Sequence, residues 1–165
     1  RPVLQSLARR FDIRVLLLGP AEFECPGVAL EVRGWKAYGS REEEAAQLAE
    51  FDIGIMPLPD DAFAAGKCAL KAIQYMASGI PVVASPVGVT PEVVRDGECG
   101  FLARTPDEWG QRLSQLLGDP ELRAAQGRAG RERVRAHYSV RAALPRLVEA
   151  LRAAAGPGRH SPRQF

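Results

Sequence analysis

The chain has 165 residues, enough for one domain that buries roughly 70% of its unfolded surface. Its formal net charge of +2, with basic residues not interleaved with aromatics, argues against nucleic acid as a partner. Cys25, Cys68 and Cys99 show no CxxC spacing and have only His137 and His160 for company, so neither disulfides nor zinc is indicated; a reducing cytoplasm is the expected location. No apolar run reaches the ~20 residues that span a bilayer, and no signal-peptide pattern opens the chain.

Val3, Leu4, Leu7 and Ala8 predict a short opening helix. Ile13, Val15, Leu16, Leu17 and Leu18 form a nearly continuous apolar run, ended by Gly19 and Pro20, that predicts a strand. From Val28 to Val32 apolar and polar residues alternate, as in a strand nearer the sheet edge. Ser40 and Glu43 read as a capping box, with the acids Glu42 to Glu44 at a helix start. Ile53 to Met56 predicts a third strand, stopped by Pro57 and Pro59, and a loop then runs to Gly66. Asp60 and Asp61 in that loop are expected to cap turns, because adjacent carboxylates point apart and no third group supports acid–base work.

The most informative stretch is Gly66 to Ser85, GKCALKAIQYMASGIPVVAS. Leu70, Ile73, Met76 and Ala77 share one helix face, while Lys67, Lys71, Gln74 and Ser78 line another. Gly79 suits a left-handed C-terminal cap, and Pro81 prevents the helix from resuming before the strand Val82 to Ser85. Lys67 and Lys71 are two of only three lysines, and both stand at the positive end of a helix dipole. Such a charge costs roughly 0.3–1 kcal/mol when exposed, and the sign reverses if an anion sits there. A solvated face and an anion site are equally good readings of the helix alone.

Downstream, Ser85 to Val89 forms a turn at the carboxyl end of a parallel strand, where open α/β sheets bind ligands, and Gly88 permits close backbone approach there. Thr90 as N-cap and Pro91 begin a short helix, and Gly100 to Ala103 predicts a last strand. Thr105, Pro106 and Glu108 cap a helix with the inward stripe Trp109, Leu113, Leu116 and Leu117. Asp119 with Pro120 starts another helix, and Ser139 caps a final one. Two readings stay open for the arginines of this tail: a solvated face, the commoner origin of scattered arginines, and peripheral contact with a membrane or polyphosphate. Residues 156–165 lack periodicity and predict a disordered tail or a cloning remnant. The alternation of strands and helices predicts an α/β fold, a Rossmann-like doubly wound, mostly parallel sheet with helices on both faces.

The run from the Gly66 helix through PVVASPVGVTPEVVRDGECGFLA resembles the C-terminal, nucleotide-sugar-binding domain of family-four retaining glycosyltransferases, which have the two-domain GT-B fold. The resemblance extends from about Leu4 to about Leu151 and is most specific from Gly79 to Leu102. It implies that residues 1–155 are the donor-binding half of a longer enzyme whose first strand, glycine-rich loop and acceptor-binding N-terminal domain lie outside the chain. It also implies a nucleotide diphosphate sugar as partner, transfer with retention, no cofactor and no obligatory metal. The implied donor-binding residues are Gly66, Lys67, Cys68, Ala69, Leu70, Lys71, Gln74 and Gly88, with Trp35 beside the base unless it is a rim residue packed on the sheet. No catalytic residue is assigned. Family members carry two glutamates eight positions apart, the first near the donor sugar and the second on the ribose. Here those positions are Gly66 and Gln74; the Gln74 amide can still bond ribose hydroxyls, whereas Gly66 has no side chain to hold a sugar. A non-catalytic nucleotide-binding module and a sugar-nucleotide epimerase are the alternative functions, and the isolated chain is expected to show no transfer.

Overall fold

The computed structural model describes residues 1–19, 22–34 and 41–155. In chain order these form α1 (Pro2–Ala8), β1 (Arg14–Leu18), β2 (Ala29–Arg33), α2 (Arg41–Leu48), β3 (Gly54–Met56), α3 (Ala62–Ala65), α4 (Leu70–Ala77), β4 (Val82–Ala84), α5 (Thr90–Val93), β5 (Gly100–Leu102), α6 (Pro106–Gly118), α7 (Pro120–His137) and α8 (Val140–Ala155). The predicted Ser40 cap, Trp35 and the 156–165 tail lie outside the described residues.

All strand pairs are parallel: β1 with β2, and β3 with β4 with β5. Alternation along the strands divides the core into two layers. Val82 and Ala84 face a cluster with Ala72 and Met76 of α4, Val93 and Val134, whereas Val83 faces the other side with Leu7, Leu113 and Leu116 of α1 and α6. Helices therefore cover both faces, as the doubly wound reading requires. One expectation is corrected. The strands fall into two ladders, not one sheet, and no ladder joins β1 to β3. Between them lies a cavity of about 270 Å³ bordered by Arg14 to Leu18 on one side and by Ile53 and Ile55 on the other, so the two strands stand too far apart to share hydrogen bonds. The apolar run of β1 is consequently only half-buried.

Local chemistry explains the helix boundaries. At the end of α4 the Gly79 amide bonds Met76 O at 2.9 Å and the Ile80 amide bonds Tyr75 O at 3.0 Å, with Gly79 at φ +77, so the predicted left-handed stop is a Schellman motif. Thr105 and Glu108 form the predicted capping box on α6. The Glu108 carboxyl is held below the usual carboxylate range by the amides of Arg104 and Thr105. Asp119 accepts from Leu122 N at 2.9 Å to start α7, and Ser139 accepts from Ala142 N at 3.1 Å. The short helix after β4 begins at its predicted cap, one residue earlier than expected, with Val89 at the N-cap and Thr90 inside and buried.

Helix α7 approaches α4 through glycines. A Cβ on Gly127 would lie 2.0 Å from Gly79 O, and one on Gly130 would lie 3.2 Å from Met76 Cγ. Its arginines are partly structural: Arg123 Nη1 donates to Leu116 O at 2.6 Å, and Arg133 Nε donates to Val93 O at 2.9 Å. Each neutralises the carbonyl end of another helix, which scattered exposed arginines would not do. On α8 the stripe Val140, Leu144, Leu147 and Leu151 is exposed. Among the described residues no helix is long and apolar enough to cross a membrane.

Candidate functional site

The carboxyl ends of β3 and β4 carry two loops, and Ser85 ties them together. Ser85 N donates to Met56 O at 3.1 Å, and Ser85 Oγ accepts from Leu58 N at 3.0 Å. The first loop continues into α3, which the sequence reading placed in a plain loop. Asp61 caps it by accepting from Ala64 N at 2.7 Å, so this carboxylate is structural, as expected. Gly88, at φ +55, presses against the end of α3: a Cβ there would meet Ala65 O at 2.3 Å. The close approach that Gly88 permits is thus to the chain's own backbone, and it sets the second loop beside the start of α4.

Residues Gly66 to Leu70 form the link between α3 and α4. Helix α4 begins at Leu70, three residues later than a helix carrying Lys67 would, so Lys67 and Gln74 do not share a helix face. The Lys67 amide bonds Ala64 O at 3.1 Å, and its ammonium lies 4.9 Å from the centroid of the exposed Phe63 ring. Cys68 is exposed and Ala69 buried. No side chain caps α4, and its first turn contains no acid. The first internal bond runs from Ile73 N to Ala69 O, which leaves the amides of Leu70 to Ala72 outside the helix ladder and directed to the open end.

Ala69 has φ +53, and it is the only non-glycine residue with positive φ among those described. An alanine in this region costs roughly 1–2 kcal/mol, a strain that survives only where the surroundings fix it. The fixed element is the buried Ala69 methyl beneath the exposed link. Ala69→Gly is expected to stabilise the chain by about 1 kcal/mol in urea unfolding by relieving the backbone; a loss would show that the buried methyl outweighs the strain.

The packed face of α4 also differs from expectation. Ala72 and Met76 are fully buried and Ile73 is half-buried, but Leu70 is 56% exposed and Ala77 is exposed too, because the α7 glycines meet the Ala72–Met76 side. Lys71 and Gln74 line the cavity beside β1 and β3 with Tyr75, whose phenol is pushed up by burial. Of the expected donor-binding residues, the structure therefore gathers Gly66, Lys67, Cys68, Ala69 and Leu70 at one end, sets Gly88 behind them, and turns Lys71 and Gln74 along the cavity. Trp35 lies outside the described residues. Among those residues no three His, Cys, Asp or Glu side chains converge as a metal site would require.

The uncapped start of α4 thus lies at the carboxyl ends of β3 and β4, the end of a parallel α/β sheet where such folds bind ligands. The chain belongs to the glycosyl transferases of group 1, whose family model matches residues 2–119. It is 42% identical over 98 residues to the MMP alpha-(1->4)-mannosyltransferase of Mycolicibacterium hassiacum, an alignment covering 57% of this chain and 22% of the relative. It is 32% identical over 98 residues to the N-acetyl-alpha-D-glucosaminyl L-malate synthase of Bacillus anthracis, covering 58% and 24%. The chain thus spans about a fifth to a quarter of the length of these relatives. In fold it is similar to the C-terminal domain of a group 1 glycosyl transferase (LpcC) from Francisella tularensis, with TM-score 0.55, 25% identity and coverage of 67% of this chain and 54% of that one. It is also similar to Anabaena HepE, solved in complex with UDP-glucose, with TM-score 0.66, 19% identity and coverage of 92% and 44%.

Proposed function

We propose that this chain is the donor-binding half of a glycosyltransferase that moves a sugar from a nucleotide diphosphate to an acceptor with retention, without an obligatory metal. The observation that carries this reading is the start of α4. Its amides lack a side-chain cap, no acid stands in its first turn, and Lys67 precedes it, with Lys71 one residue inside. A diphosphate there meets the helix dipole with lysine charge beside it, and would draw charge stabilisation from them as the sugar departs. Family membership and a structural neighbour bound to UDP-glucose support the choice of ligand.

The test is calorimetric titration with uridine and guanosine diphosphates. Lys67→Ala or Lys71→Ala is expected to weaken the preferred nucleotide about tenfold, the equivalent of roughly 1.4 kcal/mol. Unchanged affinity in both variants removes the lysines from the site.

A second reading, a nucleotide-binding module that transfers nothing, is favoured by one observation. Gly66 is exposed, has φ −78, and a Cβ there would find only ordinary contacts at 3.6 and 3.8 Å, so its backbone does not require glycine. Donor turnover by the longer protein with Gly66 in place supports the transferase. Nucleotide binding with turnover appearing only in Gly66→Glu supports the module.

A further inference from the structure

Phe63 is 79% exposed although its side chain is large and apolar, and neither core cluster includes it. A ring left in water forgoes the burial by which an aromatic normally stabilises a fold. What it does hold is Lys67, whose ammonium lies 4.9 Å from the ring centroid, within the range of a cation–π attraction. The backbone sets this pair. Asp61 caps α3 by accepting from Ala64 N at 2.7 Å, the Lys67 amide donates to Ala64 O at 3.1 Å, and Gly88 abuts Ala65 from the loop after β4. Phe63 and Lys67 therefore stand four residues apart across a fixed turn, the spacing at which side chains of one helical face meet. Gly66, between them, has no side chain to intervene.

We propose that Phe63 is a positioning residue for Lys67: its ring holds the ammonium on the link that leads into α4, so that a diphosphate finds the charge already in place. This role rests on the donor-site reading given under the proposed function. Among the described ion pairs none includes Lys67, so no carboxylate at ion-pair distance takes up the charge. An unrestrained lysine spreads its ammonium over many rotamers, and ordering them offsets part of what a phosphate contact contributes. The ring lowers that cost. A ring face covers only one side of an ammonium, and the N–H donors on the far side stay available to phosphate oxygens, so the pairing and the binding reinforce each other. Phe63 itself touches no substrate.

The chain has three lysines, Lys36, Lys67 and Lys71, so labelling lysine Cε with carbon-13 gives three side-chain signals, of which Lys67→Ala identifies one. In Phe63→Leu the Lys67 ε-protons are expected to move downfield as the ring current above them disappears, with no nucleotide present. Titration with uridine and guanosine diphosphates then reads the role. Phe63→Leu is expected to weaken the preferred nucleotide about threefold, Phe63→Trp to bind at least as well as the native chain because indole is the better π-partner, and Phe63→Leu to change nothing once Lys67 is alanine. The urea midpoint is expected to hold in both Phe63 variants, since the native ring is exposed. Equal weakening with and without Lys67 overturns the proposal, because the ring then acts on the nucleotide or on the fold directly. So does unchanged or tighter binding by Phe63→Leu. A chain that shows the ring shift yet binds neither diphosphate overturns the donor-site reading and this role with it, whereas binding without a ring shift overturns this role alone.

Discussion

Gly127→Ala is expected to lower stability by about 3 kcal/mol and the melting temperature by roughly 10 °C, although the exchange improves helix propensity. The added Cβ would lie 2.0 Å from Gly79 O and 2.9 Å from Gly79 C, so backbone must separate from backbone. The only relief is to lift α7 from the cap of α4, which uncovers Met76, a buried side chain contributing roughly 1.5–3 kcal/mol. Gly110→Ala is the matched control. It stands inside α6, where a Cβ meets only Val3 Cγ1 at 3.8 Å, and is expected to stabilise by up to about 1 kcal/mol. Thermal unfolding of the two variants should move in opposite directions. Equal shifts would mean that α7 does not rest on α4 as described.

Gly88→Ala is expected to cost a further-reaching loss, about 3 kcal/mol or more, because two penalties coincide. Alanine at φ +55 costs roughly 1–2 kcal/mol, and its methyl would overlap Ala65 O at 2.3 Å. The loop after β4 must then leave α3, which disturbs the link leading to α4, so nucleotide affinity falls along with stability. Gly97→Ala separates the two penalties. Gly97 has φ +81 with nothing within 4 Å of a Cβ, so it carries the backbone strain alone, about 1 kcal/mol, with no effect on the nucleotide. Urea unfolding and calorimetry on the pair measure both terms. A Gly88→Ala protein with native stability would contradict the contact between the two loops.

These glycines mark what the sequence conceals. Gly79 was legible because a left-handed stop follows from a helix ending just before Pro81, and the bonds to Met76 and Tyr75 fulfil it. Gly127 and Gly130 sit in an arginine-rich run whose charge hides their packing role, and only a stripe of small residues at i and i+3 hinted at a close helix contact. The start of α4 was misplaced for a related reason. Periodicity carries Lys67 and Lys71 onto one helix, but α3 ends at Ala65, and the turn through a left-handed Ala69 delays the helix to Leu70, a conformation that alanine gives no reason to expect. The face of α4 shifted with it, so Leu70 is exposed where the pattern predicts burial. The parallel strands were legible from their apolar runs. Their division into two ladders was not, since period and composition do not reveal whether an edge has a neighbour.

The place where a nucleotide diphosphate touches this chain decides whether the start of α4 is a donor site. Amide chemical shifts of the isotope-labelled protein, followed as uridine diphosphate or guanosine diphosphate is added, test that directly. The largest changes are predicted at Leu70, Lys71 and Ala72, whose amides lie outside the helix ladder, with smaller ones at Cys68 and Val89 and none at the capping box of α6, where Glu108 already occupies the amides of Arg104 and Thr105. Saturable changes centred on α6 or α8, with the first turn of α4 unmoved, would contradict it.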